Sequence, residues 1–318
     1  MRLSLIRSSA AACALVLCTT GLAAQGGRGG TPSENMRAAQ AALRDGRTAE
    51  ALAAVRKEVQ ANPTSTAAAN LLDTLGATAE ARTVFQRIAD TAEPAARAAA
   101  LRGIAMSYAF DGDCANTMKY EDMVIAYWKT REQAEPQNAF YQEGEMANEG
   151  ARVCIDLGQL DIAEKYYRLG RELGLKEPAP KTHPASLWDY RTAHALARLA
   201  ARRGNAAEAH RQVAEARRIL DGDRAMAEAQ ERFFPYLTGY VALYLNDLKT
   251  AEADITKALA TQGNTNDPFM HWMLATTYEK LGQPAKAKEL MAKAWGLATA
   301  HNPPAAFVRG ALRKQFEK

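Results

Sequence analysis

The sequence has almost no net charge. Its 40 lysines and arginines stand against 36 aspartates and glutamates in 318 residues, too even a balance for a nucleic-acid binder, which needs a concentrated basic face. Five histidines are present, His183, His194, His210, His271 and His301. None falls in an H-E-x-x-H or other ligand spacing, so no metal site is expected. No G-x-S-x-G nucleophile motif occurs. The glycines of Gln25 to Ser33 lack both the G-x-x-x-x-G-K-[ST] spacing and a preceding strand, which excludes a phosphate loop. These absences leave no cofactor and no catalytic residue to name. Beyond the first 24 residues no apolar run approaches the length needed to span a bilayer.

What is present is helix-forming. Hydrophobic residues make up 47% and charged residues 24% of the chain, ordinary for a soluble protein. The alanine excess, with proline and glycine acting mainly as punctuation, favours helix throughout. The first 24 residues stand apart: Arg2 and Arg7 form a basic start, Ala10 to Leu17 an apolar run, and Gly21-Leu22-Ala23-Ala24 a small-residue cleavage region. That is the tripartite pattern of a secretory signal peptide. Leu17 stands where a lipoprotein signal has a small residue, which places lipid attachment at Cys18 second. An uncleaved anchor ranks lower too, because the run is short for a bilayer. Cleavage would leave 38 basic against 36 acidic residues, a net charge of about +2, with Cys114 and Cys154 as the remaining cysteines. In an oxidising compartment those two are a candidate pair. The chain then divides into a signal at 1–24, a flexible linker at 25–32, a helical array at 33–303 and a terminal helix at 304–318.

The array shows internal repetition. The clearest copy is Gly150 to Gly170, in which Ala151, Cys154, Gly158, Leu160, Ala163, Tyr167 and Gly170 supply small and bulky residues around a tight turn. Equivalent turn residues, Gly46, Gly76, Gly112, Gly158, Gly204, Asn246 and Gly282, lie 30 to 46 residues apart. Small residues allow close approach of two helices, and glycine or asparagine ends the first in a left-handed cap. This pattern resembles the tetratricopeptide repeat, and the resemblance implies an all-α, right-handed α–α superhelix of about seven helix-turn-helix units. The alternative is a bundle of alanine-rich helices with coincidental spacing. Unit three is the weakest match, because Thr117 and Glu121 stand where alanine and an aromatic residue are typical. Pro235 should kink the first helix of unit six or mark its true start. The terminal helix should cover the last unit, with Phe307, Leu312 and Phe316 inward and Arg309, Lys314 and Lys318 outward.

The resemblance also implies sites. In stacked units the second helix of one packs antiparallel to the first helix of the next, which brings Cys114 to Cys154; a disulfide is expected there, against two buried free thiols. The family's groove positions, counted back from each turn residue, fall on Asn148, Arg152 and Asp156, then Arg191, His194, Arg198 and Arg202, then Tyr236, Tyr240 and Tyr244, and finally Trp272. A basic strip beside an aromatic strip suits a protein or peptide partner that is acidic or ends in a free carboxylate. The competing reading makes Tyr240 and Tyr244 core and pairs the arginines with Glu208 or Glu215. The expectation is a non-catalytic interaction scaffold or adaptor of the cell envelope, periplasmic or secreted. Two alternatives remain: a helical envelope enzyme using Glu145 and Glu149 as paired carboxylates, although Arg152 offers Glu149 a salt bridge, and a structural subunit assembling through its convex face.

Overall fold

The computed structural model describes residues 31–316. The expected signal, most of the expected linker, and Lys318 lie outside them. Among the described residues there are sixteen α-helices, one 3-10 turn and no strand. Seven hairpins follow in order: α1 (Glu34–Arg44) with α2 (Thr48–Ala61), α3 (Thr66–Thr74) with α4 (Thr78–Thr91), α5 (Pro94–Phe110) with α6 (Cys114–Lys129), and α7 (Pro136–Asp156) with α8 (Leu160–Leu175). Next come α9 (Ala185–Arg202) with α10 (Ala206–Gly222), then α11 (Arg224–Gln230) and the 3-10 turn Glu231–Phe233, leading to α12 (Phe234–Tyr244) with α13 (Leu248–Ala260). The last pair, α14 (Pro268–Lys280) with α15 (Pro284–Leu297), precedes α16 (Pro303–Phe316). The fold is an all-α superhelical repeat.

One local device sets every hairpin. All seven expected turn residues have positive φ, and Asn246 at 65° is the non-glycine among them. At each, the amide after the turn residue donates back over five residues, as in Arg47 N–H to the Ala42 carbonyl at 2.8 Å and Gln159 N–H to the Cys154 carbonyl at 2.9 Å. This is the Schellman arrangement, which satisfies carbonyls the helix would otherwise leave open. Starts are signalled as regularly. Ser33, Ser65, Asp113, Asn205, Asp247 and Asp267 each accept a backbone N–H at an N-cap, and proline opens α5, α7, α14 and α15. Pro235 also lies in a first turn, so it marks the start of α12 and does not kink it.

Unit three is a full hairpin despite its atypical second helix. Thr117 fits because its hydroxyl donates to the Asp113 carbonyl at 2.8 Å, while Glu121 is fully buried. Cys114 and Cys154 form the expected disulfide, with Cα atoms 5.1 Å apart. Gly150, one turn earlier on α7, allows this closeness, since a Cβ there would meet the Met118 sulfur at 2.4 Å. The insertion between α8 and α9 is ordered around one carboxylate. Glu177 accepts from the Thr182 amide and hydroxyl and from His183 Nδ1 at 2.5, 2.7 and 2.9 Å, and His183 stacks on Tyr141 with centroids 3.9 Å apart.

The terminal helix departs from expectation. Instead of only capping unit seven, α16 packs back against α5 and α7. Ala305, Ala306, Val308 and Leu312 share one hydrophobic cluster with Met106, Ala109 and Phe110 of α5, Val153 of α7 and Met291 of α15. Just before it, His301 lies between Phe85 and Phe110, 5.6 Å from each ring, and its Nε2 meets Asp73 of α3 at 2.8 Å. Arg309, expected outward, is 3% exposed. Its Nε donates to the Ala298 carbonyl at 2.8 Å and its guanidinium lies 3.9 Å from the Trp295 ring. The reason is that two apolar surfaces, those of unit seven and of α5 and α7, face this helix, so more of its circumference is buried than a simple cap requires. Among the described residues no helix is long and apolar enough to cross a membrane.

Candidate functional site

Closure turns the concave side into an interior. The first helices of the units meet there: the Arg152 guanidinium of α7 sits 4.6 Å from the Phe269 ring of α14 and 5.7 Å from the Tyr236 ring of α12. What stays open is a cavity of about 230 Å³ between α7, α9 and α12, with Gln230 and Phe233 of the preceding segment at its edge. Six of the eleven expected groove residues line it, namely Asn148, Arg152, Arg191, His194, Arg198 and Tyr236. The other five do not: Asp156 lies behind the wall, bonded to Arg152. Tyr240 is fully buried, Arg202 donates to the Tyr244 hydroxyl at 2.8 Å, and Trp272 packs edge-on against Phe307 of α16 with centroids 4.7 Å apart. Tyr240 is core, and the binding role expected of it is corrected.

The cations are held in ways the sequence did not suggest. Arg191 pairs with Glu145, and its guanidinium lies 5.1 Å from the Trp188 ring. Arg152 donates through Nε to Asp156 at 2.8 Å, one turn along its own helix, and not to Glu149. Glu149 is instead gripped by both donors of Arg102 at 2.8 and 2.5 Å. Glu145 and Glu149 are therefore each committed to an arginine, and Glu149 is absent from the cavity wall. Glu208 and Glu215, the alternative partners for the groove arginines, are bonded by Arg211 and Arg218.

Arg198 is different. It is 4% exposed, and its partners are uncharged: Nη2 donates to the Tyr167 hydroxyl at 3.0 Å, Nη1 to the Tyr236 hydroxyl at 3.5 Å and Nε to the His194 carbonyl at 3.4 Å. Among the described residues no carboxylate bonds it. Beside it, burial pushes the His194 ring well below its usual pKa, and the charges of Arg198 and Arg152 add to the effect, so the imidazole is neutral at pH 7. A buried guanidinium beside a neutral imidazole favours an anion, since charge left unmatched at low dielectric is costly. The same burial holds the Tyr190 and Tyr236 phenols neutral by raising them.

Repeat phase located this cavity's basic residues but missed Tyr190, Tyr167, Gln230 and Phe233. Tyr190 was legible: it stands four residues before His194 and eight before Arg198, on the same helical face. Gln230 and Phe233 belong to the extra segment before α12, where counting from a turn residue does not reach.

A family model described as the tetratricopeptide repeat matches residues 270–301, which hold most of α14, all of α15 and the connection toward α16. Unit seven is similar to the tetratricopeptide repeat. The match, with six further hairpins closed by the same turn, supports a tetratricopeptide-repeat protein. No curated protein matches the chain. Among solved structures, the hetero-tetramer Cut9–Hcn1 of the APC/C is similar at 16% identity, with a TM-score of 0.38 over 88% of this chain and 48% of that one. The chain thus spans about half the length of the structure it matches. So distant a likeness carries no argument about partners. The repeat and the fold support a protein-interaction scaffold.

Proposed function

We propose that this chain is a non-catalytic protein-interaction scaffold of the cell envelope, periplasmic or secreted, that receives an acidic segment of a partner at the concave mouth between α7 and α9. The observation that carries the reading is the preformed basic and aromatic wall of Asn148, Arg152, Arg191, Arg198 and Tyr236. Its side chains are fixed by ion pairs and ring contacts before any ligand arrives, so a partner segment does not have to order them. The signal-like first 24 residues and the Cys114–Cys154 disulfide support an oxidising compartment. Assembly through the convex face has less support: Met123, at 39%, is the exposed large hydrophobic residue among those described.

The test is fluorescence anisotropy with acidic peptides carrying either a free or an amidated C-terminus. Arg191→Gln should weaken binding at least ten-fold and lower the melting temperature by only a few degrees, because the Arg191 side chain, 23% exposed, lies at the rim and its partner Glu145, 29% exposed, can be hydrated. Equal affinity in the variant would place partner binding elsewhere.

A further inference from the structure

The buried end of the cavity suits a smaller visitor than a protein segment. Packing of α16 against α5, α7 and α14 shortens the groove, so a partner segment reaches the mouth and not the inner end. An aromatic chain of contacts seals that side, running from His194 on Tyr236 at 5.6 Å, through Tyr236 against Phe269 at 6.4 Å, to Phe269 against Phe307 of α16 at 5.2 Å. What remains, about 230 Å³, is room for a single ring with a short substituent rather than a run of residues.

Its chemistry is specific. Arg152 and Arg191 are matched by Asp156 and Glu145, which leaves Arg198 as the lining cation that no carboxylate bonds among the described residues. Two further polar atoms in the wall are buried without a hydrogen-bond partner: His194 Nε2 and the Tyr190 hydroxyl. His194 is 9% and Tyr190 2% exposed. Native interiors rarely leave such groups unmet, and a ligand is one way they are satisfied. The neutral His194 ring leaves its buried Nε2 free to donate or accept. The site therefore offers one positive charge that no carboxylate bonds, one imidazole nitrogen and one phenol that each donate or accept, and the rings of Phe233 and Tyr236.

We infer that this pocket binds a small aromatic monocarboxylic acid bearing a hydroxyl group, its carboxylate on the Arg198 guanidinium, its ring against Tyr236 and Phe233, and its hydroxyl within reach of His194 Nε2 or the Tyr190 oxygen. A monoanion matches the single uncompensated cation, whereas a dianion would leave excess charge beside Glu145 and Asp156. The inference goes beyond the scaffold reading and does not need a protein partner.

Isothermal titration of the full-length mature chain with 4-hydroxybenzoate tests it, with benzoate and 4-hydroxybenzamide as companions. One saturable site is expected for 4-hydroxybenzoate, with at least ten-fold weaker binding of the amide, which lacks the charge, and several-fold weaker binding of benzoate, which lacks the donor. Arg198→Met should abolish the binding, while Arg198→Lys should retain part of it. Tyr190→Phe, which keeps the ring and its packing, should weaken 4-hydroxybenzoate and leave benzoate nearly unchanged, a split that general loosening of the fold would not produce. Failure of all three compounds to bind the wild-type chain overturns the inference, as does equal affinity for acid and amide. Binding by an acidic peptide with none by the small acids would also overturn it while leaving the scaffold reading intact; the reverse outcome would sustain the pocket and sink the scaffold.

Discussion

Reducing the Cys114–Cys154 bond should loosen one interface by an amount that can be worked out in advance. The bond closes a loop with a sequence separation of 40. On the chain-entropy account that restriction of the unfolded state corresponds to about 4 kcal/mol. A protein of this kind has a total stability of about 5–15 kcal/mol, so the bond is a large fraction of the whole. With a urea dependence of roughly 3 kcal/mol per molar or more for a chain of this size, the midpoint should fall by about 1 M on reduction. The assay is equilibrium urea unfolding followed by far-UV circular dichroism, with and without reductant, and alkylation to confirm that both thiols are free. Both curves should keep a single transition. The cluster uniting α5, α7, α15 and α16 ties units three, four and seven together, so the array should not unzip repeat by repeat as an open solenoid would. Superimposed curves with alkylated thiols would refute the loop-closure reasoning, and two separated transitions would refute the coupling through α16.

Other expectations follow from single residues. Asn246→Ala should destabilise by about 1–2 kcal/mol, because alanine pays the left-handed penalty at φ 65°, whereas Asn246→Gly should be nearly neutral; chemical denaturation of the pair checks this. Tyr240→Ala should cost about 3–5 kcal/mol, since the ring is fully buried between Tyr244 and Phe269, and any loss of ligand would come with a lowered melting temperature. Glu143 is buried on α7 with both carboxyl oxygens unpartnered, and burial, aided by Glu132, pushes it up to about 7. Its folded-state value lies above the unfolded one, so its contribution is full below about pH 4.5 and is lost as pH rises through 7. Glu143→Gln should flatten that part of the stability profile, and an unchanged slope between pH 5 and 8 would contradict it.

Sequence was sufficient for what depends on a few neighbouring residues. Seven turn positions could be named because a left-handed cap needs glycine or asparagine whatever surrounds it, and each closes with the same backbone bond. The disulfide could be named for a related reason: once the hairpins are phased, neighbouring units have only one way to stack. Six cavity residues followed from the same phase. Where the phase is interrupted, as at Gln230 and Phe233, reading failed, since the extra segment obeys no repeat.

Tertiary structure decided the rest. How far the superhelix winds is the sum of small rotations at each interface, set by insertions of different length, and no single residue encodes it. That winding brings Arg152 of unit four onto Phe269 of unit seven and gives α16 a second apolar surface to cover, which buries Arg309 and fills much of the groove. Partner choice among charges is equally non-local: Glu149 sits three residues from Arg152 yet bonds Arg102, 47 positions away. The sequence by itself determined the unit, its turns and its nearest-neighbour bond; the closed interior, and the placing of Arg198 among the phenols of Tyr167 and Tyr236, exist only because distant helices were brought face to face.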